Sequence, residues 1–273
     1  MRDCVVLDKN FLQGASGSAV LALARNHKLV MPGALFYELL TTSVEVRQRC
    51  FAKLPRTDNP VVLVEHIGVL LSHESATGKP SGKPSGHSID FRFRFNERLL
   101  AEDYELPGEA KAALEEQTTD VESDVRQLID LTEMTPLLFP GLLVGTTAQQ
   151  HAARRRAEAA IGQLEQIHKF YSVLQPVLPE LRYPVISEKF KKWAFLRWLQ
   201  VLMLFALDLY VRHQGKLRDA LTPRLLERLE HDVHDAQILA MGVLEGAIAT
   251  REKKLLQWWP LLCPGGRIHG AKT

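Results

Sequence analysis

Five carboxylates stand apart from the apolar segments that carry them. Asp8 ends the run CVVL, Glu38 interrupts LVMPGALFYELL, Asp232 and Asp235 fall in HDVHDAQILAMG, and Glu252 follows AIAT. Each has an ordinary reading alone. Asp8 suits a turn, Glu38 a solvated edge, the two aspartates a helix N-terminus whose dipole they complement, and Glu252 a surface charge. Brought to one place they could do chemistry. Oxygen ligands suit hard divalent cations, and carboxylate-bound Mg²⁺ or Mn²⁺ can supply a nucleophilic water and spread the charge on a phosphoryl group under attack. Without a cation, clustered acids repel one another and at least one pKa rises. If Asp8 projects from the carboxyl end of a central strand, it lies where open α/β sheets hold their ligands.

The elements that must position these acids alternate at the start of the chain. CVVL predicts a buried strand, residues 14–25 a helix, and residues 29–31 a second strand. A helix follows with Pro32 in its first turn, where a missing N–H costs little. From Asn59, PVVLVEHIGVLLS predicts a strand leading into a helix. Residues 72–88, SHESATGKPSGKPSGHS, are rich in Gly, Ser and Pro and predict a flexible loop. They are not a phosphate-binding loop, because no strand feeds them directly and GxxxxGK[ST] is missing. Apolar residues at three- and four-residue spacing then predict long charged helices over 103–138 and 146–174. After a break at residues 178–184, a strongly apolar helix starts beyond Ser187. A second follows with Thr222 as N-cap and Pro223 behind it. A third opens at Asp232 and Asp235 and closes at Gly246, before the strand AIAT. Strands thus sit at both ends of the chain, with helices between.

At 273 residues and 46% hydrophobic, the chain can bury a substantial core. A net charge of +2 is too mild to indicate nucleic-acid binding globally, though it leaves room for a local basic patch. Cys4, Cys50 and Cys263 form neither a disulfide framework nor a CxxC site, which fits a reducing compartment. The N-terminus lacks the pattern of a secretory signal, and a cytoplasmic protein is expected. Residues 193–211 are apolar, but Arg197, Gln200 and Asp208 interrupt them, so a buried helix is expected rather than a membrane span. Asp208 faces Arg212 four residues on, an ion pair rather than a ligand. Arg154-Arg155-Arg156 reads as a solvated helix face.

The order of the acids resembles that of the PIN-domain ribonucleases. That family carries an acid after the first strand, an acid on the second helix, an aspartate near the start of a later helix, and an acid after a following strand. The matching residues are Asp8 in VVLDKNFL, Glu38 in VMPGALFYELL, Asp235 with Asp232 in HDVHDAQILAMG, and Glu252 in AIATREKKL. The resemblance covers roughly residues 1–70 and 187–260. It implies a three-layer α/β core with a central, mainly parallel sheet, split into residues 1–71 and 187–262. A loop and helical insertion at 72–186 and a tail at 263–273 complete the chain. It implies endonucleolytic hydrolysis of RNA with Mg²⁺ or Mn²⁺, Asp8, Glu38 and Asp235 as primary ligands, and Asp232 and Glu252 as support. Asn10 and Thr250 take positions where the family places small polar residues that orient ligands or phosphate. Glu252 departs from the family's usual aspartate by one methylene. In the family, small members are often toxins held by an antitoxin, so a protein inhibitor and a homo-oligomer enter as partners through the resemblance alone; no membrane does.

Substrate contacts would come from cations at the rim: Lys9, Lys189, Lys191, Lys192, Arg251, Lys253 and Lys254. Tyr37, Trp193 and Trp198 are candidates for base stacking, although aromatics on apolar helices usually belong to a core. Two other readings stay open. A PIN-like fold with incomplete metal ligation would be an RNA-binding or assembly scaffold. Alternatively, His231 and Asp235 at i, i+4 could bind one metal as in HD-type phosphohydrolases. Those are all-helical and need further histidines, for which His66 and His73 are poor substitutes.

Overall fold

Strands form where the sequence runs apolar without alternation. In this computed structural model, which describes residues 2–57, 59–89, 108–177 and 190–270, β1 (Cys4–Leu7), β2 (Lys28–Pro32), β3 (Val62–Val64), β4 (Ala247–Ala249) and β5 (Arg267–His269) make one sheet. Every pairing is parallel, in the order β3-β2-β1-β4-β5, so β1 is central. Val6 stands opposite both Val30 and Ile248. Parallel strands covered on both faces consume unbroken apolar runs, and Val5, Val6, Leu7, Val30 and Met31 are fully buried. The protein is an α/β protein with an all-parallel sheet.

The chain's contacts divide it into two units. One comprises 1–70, 82–117 and 237–273, and the other comprises 71–81 and 118–236. The sequence places the return to the sheet-bearing part at residue 187, whereas the contacts place it at 237. The sheet unit holds α1 (Lys9–Gly14), α2 (Gly17–Asn26), α3 (Gly33–Thr41), α4 (Val44–Phe51) and α11 (Lys253–Leu262). The single helix expected over 14–25 is interrupted: α1 stops at Gly14, and α2 starts behind Ser16, whose hydroxyl accepts from the Ala19 N–H at 3.2 Å. Pro32 takes the N-cap position of α3. The segment read as a tail contains β5, tied on by Arg267 N–H to Gly246 O and Thr250 N–H to His269 O, both 3.0 Å.

Two further expectations are corrected. The helices expected on either side of Asp232 are one, α10 (Pro223–Glu245). Thr222 caps it through the Leu225 N–H at 3.2 Å. Leu229, Val233 and Ala236, fully buried, carry the apolar stripe straight past the acids. Asp232 and Asp235 therefore lie in the helix interior and complement no helix dipole. The helix ends at Gly246, whose φ of +87° is the left-handed conformation that glycine adopts without strain. Gly246→Ala should cost about 1 kcal/mol in urea denaturation. Residues 72–88 are also more fixed than their composition predicts. Residues 72–77 complete α5 (Ile67–Thr77), Ser85 donates twice to the buried Glu245 at 3.0 and 3.1 Å, and Ser88 bridges Val64 of β3. Composition registers how little apolar surface such a segment buries, but not the acids that collect its N–H and O–H groups.

The second unit is helical in its described residues, built on α7 (Thr147–Ile161), α8 (Leu164–Leu174), α9 (Ala194–Arg212), most of α6 (Gly108–Leu138) and the first part of α10. By length and composition α9 could cross a membrane, yet 83% of its most apolar window is buried in the protein. It packs on α8 through the edge-to-face rings of Tyr171 and Phe195, 5.1 Å apart, and on α7 through Gln200 Nε2, which donates to Ile161 O at 2.8 Å. Asp208 pairs with Arg212, as its spacing predicts, and also with Arg154 at 2.9 Å. Of the arginine run, then, Arg154 is tied to α9, while Arg155 and Arg156 are exposed. The break at 178–184, the helix start after Ser187, and Lys189 lie outside the described residues.

Candidate metal centre

Asp8 follows the last residue of the central strand and is also the N-cap of α1, so the turn reading and the strand-end reading hold together. Its Oδ1 accepts from the Asn10 N–H at 3.3 Å. Glu252 repeats the arrangement beyond β4: it caps α11, accepting from the Lys254 N–H at 3.4 Å. The hydroxyl of fully buried Thr250 joins the two, donating to Asp8 Oδ2 at 2.5 Å and accepting from the Glu252 N–H at 3.0 Å. Asn10 closes the circuit by donating from Nδ2 to Glu252 Oε2 at 3.2 Å. Glu38, on α3, accepts from Lys9 Nζ at 2.9 Å.

The electrostatics follow from burial. Asp8 is 1% exposed. Loss of hydration is the main force that pushes its pKa up to about 6, and the charges of Glu38 and Glu252 add to it; the hydrogen bonds from Thr250 and Asn10 pull the other way. Asp8 thus feels both glutamates, and the Lys9 ammonium holds Glu38. Each Asp8 oxygen has one of these donors, leaving lone pairs for a further partner. Among the described residues, no three His, Cys, Asp or Glu side chains draw together tightly enough to ligate one ion directly. Mg²⁺ typically keeps several waters and takes only one or two carboxylates. Asp8, Glu38 and Glu252 offer only oxygen donors, the kind that hard divalent cations take, with water completing their shell.

Asp232 is buried on α10 within the helical unit, 3.9 Å from the Arg212 guanidinium. Asp235, half-buried, lies on the stretch of α10 that belongs to the helical unit. Arg251 donates to Gly14 O. Lys254 lies over the Trp258 ring, 5.8 Å from its centre, and Lys191 and Lys192 are exposed. Trp193 and Trp198, 0% and 3% exposed, are core residues closed to a base. The sequence identified Thr250 only by its position in the family pattern; its role as the shared bridge between two strand-end acids required the pairing of β1 with β4. It passed over His27 and His269, which carried no spacing signal.

Fold and site together define an α/β protein with an all-parallel sheet and hydrogen-bonded acids, Asp8 and Glu252, beyond the carboxyl ends of its central strands. No family model, curated protein or solved structure matches the chain.

Proposed function

We propose that the protein is a PIN-like, metal-dependent endoribonuclease whose pocket is built by Asp8, Glu38 and Glu252. One observation carries this reading. The strand order runs outward from β1 through β2 to β3 on one side and through β4 to β5 on the other, so the topology reverses between β1 and β4. Open α/β sheets hold ligands in the crevice at that switch point. Asp8, Thr250 and Glu252 occupy it, bonded across it. The order of strands and acids along the chain supports the PIN-like assignment.

Asp8, Glu38 and Glu252 would hold Mg²⁺ or Mn²⁺, which when bound supplies an activated water and neutralises phosphoryl charge. Thr250 fixes the Asp8 carboxylate: its single proton goes to Oδ2, because its oxygen already receives the Glu252 N–H. Asn10 holds Glu252 in place. Lys9, beside Glu38, would meet a phosphate oxygen, and Arg251 is anchored on Gly14, the last residue of α1. Asp235 remains a ligand proposed from the resemblance alone. Purified protein incubated with structured and unstructured RNA should cleave in Mn²⁺ and not in EDTA. Cleavage that survives Asp8→Asn in full would discard the reading, and Asp235→Asn in the same assay tests the additional ligand.

The contact between Lys9 and Glu38 favours a second reading, a PIN-like RNA-binding or assembly scaffold in which an internal ammonium does the work of the ion. Lys9→Met separates the two. For a nuclease it should lower cleavage about 10-fold or more through the lost phosphate contact. For a scaffold, wild type should not cleave, and Lys9→Met should bind Mn²⁺ more tightly by calorimetry.

A further inference from the structure

An open cleft of about 510 Å³ lies between α2, the loop after β4 and the end of β5, within the ~300–1,000 Å³ typical of small-ligand sites. Its walls divide by chemistry. Phe11 and Leu23 are apolar, and Ala19 and Ala22 leave a flat strip along α2, with Ala15 just before it. On the other side are Arg251, His27 and His269, with Ser16 and Asn26 nearby. No acid lines the cleft among the described residues. Arg251 bonds a backbone carbonyl and has no ion-pair partner among the described residues. The imidazoles of His27 and His269 stand 5.0 Å apart, tilted by 58°. His27 Nδ1 and His269 Nε2 are both hidden from solvent without a hydrogen-bond partner.

Buried polar nitrogens without partners are rare in folded proteins, because each forfeits its hydration for nothing. Hidden atoms cannot reach a ligand in the open cleft, but the two rings that carry them line it beside the Arg251 guanidinium, with no acid among the described lining residues. A phosphate suits that side, since guanidinium and imidazole are its common donors. The apolar wall and flat floor need a different partner, a planar ring that buries area without hydrogen bonds there. We propose that this cleft binds a single nucleotide, its phosphate on Arg251 and the histidine pair and its base against Phe11 and the alanine strip of α2.

The cleft adjoins the residues that follow β4. Arg251 falls between Thr250 and Glu252, and Gly270 packs so closely that a Cβ there would approach Thr250 O to 2.7 Å and the Phe11 ring to 2.9 Å. A nucleotide held here would sit next to the switch point. The assignment does not depend on catalysis, however, and stands if the nuclease reading falls. It also has a pH signature. Burial, with the nearby His27 and Arg267 charges, holds His269 below the usual imidazole range. The charged groups around the pair are Arg251, Arg267 and Asp3, the last bonded to Arg267 at 2.6 Å. A bound phosphate favours imidazole protonation, while its own second pKa, about 6, falls in the same range, so wild type and a variant without the His269 imidazole should differ in how binding changes between about pH 7.5 and 5.5.

The test uses the full chain in EDTA, so that no cleavage intervenes. AMP, UMP, adenosine and inorganic phosphate are titrated separately, with calorimetry for affinity and histidine side-chain NMR for location. Both monophosphates should bind and shift the His27 and His269 resonances, while adenosine and phosphate alone should each bind about 10-fold more weakly or worse. His269→Gln should change the pH dependence of AMP binding relative to wild type, and Arg251→Met should weaken AMP about 10-fold or more with the fold intact by circular dichroism. If AMP at millimolar concentration leaves both histidines unmoved in wild type, the proposal is wrong. Inorganic phosphate binding as tightly as AMP also overturns it, since the apolar wall would then hold nothing.

Discussion

Asp8→Asn should abolish Mn²⁺-dependent RNA cleavage, by on the order of 100-fold or more, and should also make the metal-free protein more stable at pH 7. The second effect follows from burial. The Asp8 carboxyl has its pKa pushed up from 3.8 to about 6. Between those values the folded protein holds a proton that the unfolded chain has released. Stability from this group is fully present below pH 3.8, falls as pH rises through about 6, and stays lost above it. A rise of about two units corresponds to about 3 kcal/mol. Asparagine carries no charge to desolvate, so the variant should escape the loss. Urea denaturation of both proteins in EDTA from pH 4 to 7.5 should show curves that diverge as pH rises. Added Mn²⁺ should raise the stability of wild type and leave the variant nearly unchanged. Parallel pH curves would mean that the carboxylate is not isolated from water and that the pocket is not strained toward a cation.

Glu74→Ala should be the most damaging single change in the helical unit, at about 3–5 kcal/mol. Glu74 is 0% exposed. It accepts from the Ser81 N–H and hydroxyl at 2.9 and 2.8 Å, and from the Ala194 and Phe195 N–H groups at 2.6 and 3.0 Å. The last two are first-turn donors of α9, whose own N-cap, Trp193, offers no side-chain acceptor. One carboxylate from a distant helix thus does the work of a cap for the most buried helix of the unit. Alanine would leave four donors without it. Amide exchange at Ala194 and Phe195 should accelerate with the global loss, whereas Glu122→Ala on an exposed face should shift stability by less than about 0.5 kcal/mol. Equal effects from the two would remove Glu74 from this role.

The contrast between these residues shows what could be read before folding. β1, β2 and β4 are legible because buried parallel strands write themselves as unbroken apolar runs, and Asp8 stands out because it ends one. β5 is not legible. Arg-Ile-His flanked by glycines has neither length nor alternation, and becomes a strand only because β4 offers an edge to pair with. α10 was divided at its acids because Asp reads as a helix opener, but the apolar stripe on its other face overrides that local preference. Glu74 gave no signal, since its partners lie seven and 120 residues away. The acidic pocket was half legible. The acids could be picked out by type, while the bridging role of Thr250 joins residues 242 positions apart. The histidine pair likewise owes its meaning to the end of β5, which local pattern did not predict.

The central place of β1 has a consequence for how the protein is made. On the ribosome its β2 side can pair early, but its other edge stays open until β4 is synthesised, after residues 65–246 have been added. At typical elongation speeds that interval lasts roughly 10–35 s. Throughout it the nascent chain displays an unpaired apolar strand of the kind that invites wrong partners. Any message truncated before β4 yields a product that keeps Asp8 and Glu38 but lacks Thr250 and Glu252, so whatever these residues do together begins only after β4 and the loop behind it have been made.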